Sequence, residues 1–200
     1  MDNIRQNDSL EFDENQEAVL NISGHLTPEP RVHYQDYFFN VPPKASKVSL
    51  TFSFHKEKLA QLFISLHDPN GFRGNRMRPG AKGDIVLELW VSPDDASEGG
   101  IPGPLPPGQW RAQIDVERLA EEVGFTLMAV VETKDGYAHP EPLPYPDDHI
   151  VNDKAGWYRG ELHAHSTESD GKFPVQTVVQ AAMDAGLDFL SLTDHFTSSQ

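Results

Sequence analysis

His163, His165, Asp170, Asp194 and His195 are the residues of this sequence whose types and spacing could do chemistry. Neutral imidazoles and carboxylates bind divalent metals, and the chain of 200 residues has no cysteine to add a thiolate. Such a donor set suits Zn²⁺, Mn²⁺ or Fe²⁺ better than the all-oxygen cages that hold Ca²⁺ or Mg²⁺. A bound ion can bring the pKa of a water toward neutrality and hold a phosphoryl or carbonyl oxygen, so the chemistry on offer is hydrolysis. It needs no Ser or Cys nucleophile, and the sequence contains no Gly-x-Ser-x-Gly elbow. An imidazole must be neutral to ligate, so metal binding weakens below about pH 6. A single histidine is ordinarily a surface or satisfied core residue, and one His-x-His pair says little. This set gains weight because a second cluster, Asp194-His195, recurs beyond the next elements.

The elements that must position these groups are legible around them. Glu161 to His165 is short and alternating, which in a strand puts His163 and His165 on one face and Leu162 and Ala164 on the other. Ser166 to Gly171 is a polar loop that closes on a glycine and places Asp170 just past the strand end. Pro174 suits the first turn of a helix, where its missing N–H costs nothing. Val175, Val178, Val179 and Ala182 then make one apolar helical stripe, and Gly186 suits the position after the last turn. Leu187 to Thr193 is apolar enough for a buried strand. Strand, loop, helix, strand is a crossover that makes the strands parallel. Ligands in parallel α/β folds gather at the carboxyl ends of strands, where His163, His165, Asp170 and His195 converge.

These motifs resemble the start of a PHP (polymerase and histidinol phosphatase) domain. His163-Ala164-His165 with Ser169-Asp170-Gly171 is similar to that family's first motif, and Thr193-Asp194-His195 to its second. Gly156 to Gly160 looks like the CehA/McbA-like metallohydrolase branch. The resemblance implies a distorted (β/α)7 barrel with two or three divalent metals at its mouth. It implies His163, His165, Asp170 and His195 as metal ligands, with Asp194 orienting a ligand from behind. Two departures stand out: Phe196 where that branch often has Asn, and Glu161 where it often has Asp. The family's remaining ligands, a Glu, further His and a late Asp-x-His, have no counterpart before Gln200. The expectation is a truncated or fragmentary gene product whose 200 residues alone turn over little or nothing.

The rest of the chain has a different texture. Glu17–Ser23, Tyr34–Val41, Ser46–Phe54, Gln61–His67, Asp84–Val91, Gly108–Val116 and Gly124–Thr133 read as short strands separated by turns. Val48, Leu50, Phe52 and Phe54 alternate with Ser and Thr, as in a half-buried antiparallel strand. Asp68-Pro69-Asn70-Gly71 is a strong turn signal. Arg118–Glu122 suggests a short helical turn, and Trp90 and Trp110 read as core. Arg73, Arg76, Arg78 and Lys82 form one basic cluster, read as a solvated loop, with contact to an anionic substrate or to the barrel as the alternative. His25, His33, His55 and His67 are scattered and receive no role. Leu66–Gly74 and Pro102–Trp110 resemble the β-sandwich that often precedes the metal domain in the CehA/McbA-like branch.

The expected organisation is a flexible N-terminus at 1–16 and an all-β antiparallel sandwich or jelly roll at 17–135. A proline-rich linker follows at 136–154, and the first βαβ unit of a PHP-type α/β barrel at 155–200. His139, Glu141 and Asp147-Asp148-His149 in the linker read as exposed loop polarity. The formal net charge of −15 argues against nucleic acid or an anionic membrane as partner. No signal peptide is visible at Met1 to Gln16 and no apolar run is long enough to span a bilayer, so a cytoplasmic protein is expected. The expected function is metal-dependent hydrolysis of a small phosphoester or a carboxylic or carbamic ester. The alternative is a β-sandwich binding or interaction module with a non-catalytic PHP stub. A proofreading module of a polymerase is disfavoured by the acidic charge and the β region.

Overall fold

The computed structural model describes residues 15–77, 82–135 and 152–195. The expected flexible segment up to Glu14, the linker residues His139 to His149, Arg78 and Phe196 lie outside them.

Among the described residues, eight strands fill the first part: β1 (Gln16–Leu26), β2 (His33–Val41), β3 (Ala45–Lys56), β4 (Ala60–Asp68), β5 (Gly71–Arg76), β6 (Gly83–Val91), β7 (Gly108–Leu119) and β8 (Val123–Thr133). One four-stranded sheet has the order β1-β8-β3-β6, the other β2-β7-β4-β5, and every pair is antiparallel. Apart from the β4–β5 hairpin, each successive strand crosses to the opposite sheet, which is the jelly-roll order. Alternation makes this work. β3 turns Val48, Leu50, Phe52 and Phe54 inward, β7 turns in Trp110, Ala112, Ile114 and Val116, and β8 turns in Phe125, Leu127, Ala129 and Val131. These inner faces meet in one apolar core, with Trp110 1% exposed and its indole N–H donating to the Pro106 carbonyl at 2.9 Å.

Four expectations about the sandwich need correction. β5 was missed because Gly-Phe-Arg-Gly-Asn-Arg has no β-branched residue and no alternation, yet it pairs with β4 from Asp68↔Gly71 to Ile64↔Arg76. The Asp68 carboxylate closes the intervening turn by accepting the Asn70 and Gly71 amides at 2.6 and 2.9 Å. Residues 118–122 are not helical, since Arg118 and Leu119 extend β7 and pair with Gln61 and Ala60. Trp90 faces outward from β6, half-buried, with the Lys47 ammonium 4.5 Å above its ring. Arg73 is buried rather than solvated. It pairs with buried Asp68 at 2.9 Å and donates to the carbonyls of Ile101, Gly103 and Pro104, so all its N–H directions are used.

Beyond the sandwich, β9 (Gly160–Ala164) and β10 (Phe189–Leu192) pair in parallel, joined through α1 (Val175–Asp184). Pro174 is the N-cap. Gly186, at φ +67°, donates to Met183 and Leu187 donates to Ala182, closing the helix in a Schellman motif. A Cβ on Gly160 would displace the exposed Phe189 ring, which lies against it. The expected burial of β10 and of the helical stripe is not found. Leu190 and Leu192 are half-buried and Val179 and Phe189 are exposed, since among the described residues α1 covers only part of this two-stranded sheet. No helix among the described residues is long and apolar enough to cross a membrane.

Candidate metal centre

The carboxyl ends of β9 and β10 lie side by side, fixed by pairing of Leu192 with Ala164 and by the Thr193 amide donating to the Ala164 carbonyl at 2.7 Å. His165 therefore leaves one strand beside the point where Asp194 and His195 leave the other. The intervening loop folds back on itself. The Ser166 carbonyl accepts the amides of Ser169 and Gly171 at 3.2 and 2.8 Å. Gly171 is required at this turn, because a Cβ there would collide with the His165 and Ser166 backbone. The fold-back brings Asp170 against the histidines.

The resulting cluster is tight. His165 Nδ1 lies 2.6 Å from Asp170 Oδ1, and His195 Nε2 lies 3.6 Å from Asp170 Oδ2. Ligand atoms of His165, Asp170 and His195 all fall within 4.8 Å of one another. His163 Nε2 is 3.0 Å from His165 Nε2, with the two rings stacked at 5.0 Å between centroids. The His165 and His195 rings meet edge-on at 4.6 Å. The hydrogen bond from His165 holds the Asp170 carboxyl below the usual carboxylate range, with the charges of His195 and His165 adding to it.

This donor set fits a divalent cation. His163 Nε2 and His165 Nε2 face each other at 3.0 Å, close to the separation of about 3.3 Å expected between tetrahedral ligands held at about 2.0–2.1 Å from zinc, whereas Asp170 meets the other, Nδ1, edge of His165. Of the five residues singled out in the sequence, His165, Asp170 and His195 are brought together and His163 adjoins them. Asp194 stands behind. It is 8% exposed and accepts the Ser166 amide at 2.7 Å, the Ser166 hydroxyl at 2.7 Å and the Ser169 hydroxyl at 2.6 Å.

One participant was not visible in the sequence. Glu168 accepts the Gly99 amide of the sandwich at 2.6 Å, and Arg76 Nη1 reaches the Thr167 carbonyl at 3.4 Å. These contacts tie the loop to a part of the chain far away in sequence, which no local pattern could signal. A cleft of about 610 Å³ opens along this junction, with Arg76, Trp90, Glu98 and Asp170 in its wall. Arg76 is paired there with Glu98 at 2.7 Å.

Comparison with known proteins adds a little. No family model matches the chain. The chain is similar to the DNA polymerase/3′-5′ exonuclease PolX of Bacillus subtilis (strain 168), 38% identical over 48 residues. That match covers 24% of this chain and 8% of the relative's length. Among solved structures, the chain is similar to the structure of infectious bursal disease virus Gx strain, with a TM-score of 0.39 and 10% identity over 61% of this chain and 33% of that one. Nora virus is matched with a TM-score of 0.25 and 12% identity over 76% of this chain and 74% of that one.

Proposed function

We propose that this chain contributes to a PHP-type, CehA/McbA-like hydrolase that uses a divalent metal to cleave a small phosphoester or a carboxylic or carbamic ester. One observation carries the reading: ligand atoms of His165, Asp170 and His195 lie within 4.8 Å at the ends of two parallel strands, with His163 adjoining. The similarity to PolX is consistent with it, in that the PHP family's name joins polymerases to a phosphatase. βαβ geometry at the site is what the first unit of a (β/α)7 barrel would contribute.

His163, His165, Asp170 and His195 would hold the metal, which is Zn²⁺, Mn²⁺ or Fe²⁺ on donor type. When bound, such an ion supplies Lewis acidity and a water of lowered pKa. The chain's own residues do the positioning. Asp170 stays ionised through its bond from His165, so it presents a full negative charge to a cation. Asp194 gathers both serines and fixes the loop that carries Asp170. Arg76, in the wall of the adjoining cleft, would meet an anionic ester only by exchanging its Glu98 partner for it.

The test is equilibrium binding of Zn²⁺ and Mn²⁺ to the 200-residue chain and to His165→Ala, together with hydrolysis of bis(p-nitrophenyl) phosphate and p-nitrophenyl acetate. Wild-type binding that drops by about tenfold or more in His165→Ala is expected, since each ligand and its supports govern affinity on that scale. Equal metal stoichiometry and affinity in the two proteins would remove the basis for the proposal.

A further inference from the structure

β4 is buried on both of its faces. Leu62, Ile64 and Leu66 point into the sandwich, whereas Phe63 and Ser65 point out of it and are nonetheless only 3% and 5% exposed. Beside them on β7, Asp115 also faces outward and is 9% exposed. They lie at the floor of a recess of about 440 Å³ on the outer face of the β2-β7-β4-β5 sheet. Tyr34 of β2 and Phe72 of β5 stand in its walls with partly exposed rings.

The floor holds a carboxylate that is only half-satisfied. Asp115 Oδ2 accepts the Ser65 hydroxyl at 2.7 Å and the Asn75 amide at 3.3 Å. Its Oδ1 is buried and has no hydrogen-bond partner among the described residues, and neither has His67 Nε2 in the same recess. A desolvated acceptor without a donor is costly, and a desolvated carboxylate without a counter-charge more so, which is why burial raises the Asp115 pKa and why a bound cation would favour its ionised form. Glu117 adds a second carboxylate to the lining, and among the described residues no Lys or Arg lines it. Arg111, on the same sheet face, is engaged by Asp36 at 3.3 Å.

We infer that this recess binds an organic cation with N–H donors on an apolar body, an aryl- or alkylammonium group. An anion is repelled by both carboxylates. A neutral polyol gives Asp115 Oδ1 a donor but leaves the buried charge uncompensated. An ammonium supplies the donor and the charge together, and the faces of Tyr34 and Phe72 attract it further. Burial holds the His67 imidazole below its usual pKa, so at neutral pH that ring adds no positive charge against the ligand. The recess is far from the metal cluster in sequence and shares no lining residue with it, so this inference stands apart from the hydrolase reading.

The probe is benzylammonium, titrated by calorimetry into the full chain at pH 7.5, with benzyl alcohol, benzoate and glucose as competitors of matched size. Saturable binding of benzylammonium is expected, with the alcohol, the acid anion and the sugar each weaker by about tenfold or more, on the scale of a hydrogen bond to a charged group. Asp115→Asn, which keeps the shape, should lose about tenfold, and His165→Ala should bind the amine as wild type does. Phe72→Ala and Glu117→Gln change exposed side chains and should each weaken binding about threefold, which keeps a readout if Asp115→Asn misfolds. No saturation with benzylammonium, equal binding of the alcohol or glucose, or unchanged affinity in both rim variants would overturn the inference.

Discussion

Asp194 offers a direct way to separate the proposed ligand loop from its support. Its carboxylate is 8% exposed and accepts one amide and two hydroxyls, all at 2.6–2.7 Å. Hydrogen bonds to a charged group contribute about 1.5–3 kcal/mol each, but the Ser169 hydroxyl can turn to Asp170 Oδ1, 3.5 Å away, once the acceptor is gone. The Ser166 amide cannot. Asp194→Ala should therefore cost the loop about 3–5 kcal/mol, below the plain sum. Asp194→Asn keeps one oxygen for the Ser166 amide and the Ser169 hydroxyl, and its amide can donate to a rotated Ser166 hydroxyl, so about 1–2 kcal/mol is expected. The effects should appear as faster amide exchange across 166–171 and as weaker zinc binding, measured by competition with a chromophoric chelator. A loss of about 10–100-fold is expected for the alanine variant and severalfold for the asparagine variant. Urea unfolding of the sandwich, whose core is separate from these serines, serves as the folding control. Wild-type zinc affinity and exchange in Asp194→Ala would refute the claim that this carboxylate positions the site.

Two further outcomes concern the sandwich. Arg73→Ala strands buried Asp68 and the carbonyls of Ile101, Gly103 and Pro104, so urea unfolding should show a loss of about 3–5 kcal/mol, with Arg73→Lys recovering only part of it because it lacks the planar fork. Burial raises the Asp115 pKa, so the native state holds that proton more tightly than the unfolded chain does. Its contribution to stability is therefore greatest in acid and falls as pH rises from the ordinary aspartate value through the raised one. Melting temperatures of wild type and Asp115→Asn should converge toward acid and separate to a plateau above that window, with the variant relatively more stable at neutral pH. A constant gap at all pH values would contradict this.

What the sequence disclosed follows from how local each signal is. Strands such as β3 were legible because one face is core and the other solvent, so Val48, Leu50, Phe52 and Phe54 alternate cleanly. β4 has no such alternation, because Phe63 and Ser65 are buried on the outer face as well, and so its second buried side went unread. β5 hid behind glycines and charges whose partners come from elsewhere. The Arg73 guanidinium is matched by backbone carbonyls of a loop near 101–104, and nothing in Gly-Phe-Arg-Gly-Asn-Arg says so. An Asp-Pro-Asn-Gly turn followed closely by Arg was the one available hint, since the Asp68 carboxylate serves both. The cluster of His163, His165 and Asp170 is readable because a strand end and one folded loop suffice to assemble it. His195 needed only the assumption of parallel strands.

The link between sandwich and cluster is the part that depends on the whole fold. Gly99 sits at φ +81° with its carbonyl taken by the Asn75 amide at 3.0 Å and its own amide given to Glu168 at 2.6 Å. A side chain there would meet the Asn75 carbonyl, so only glycine lets the 92–104 loop lie this close to β5. Arg73 pins the far end of the same loop through Ile101, Gly103 and Pro104. The loop is thus held at two points by β5 and grips, through Glu168, the turn that presents Asp170. Displacing it by loss of Arg73 would move the Gly99 amide and with it the anchor of Glu168. The sandwich is in this way a mechanical support of the proposed ligand loop, and a defect in its buried ion pair should be felt as a change in metal affinity as well as in stability.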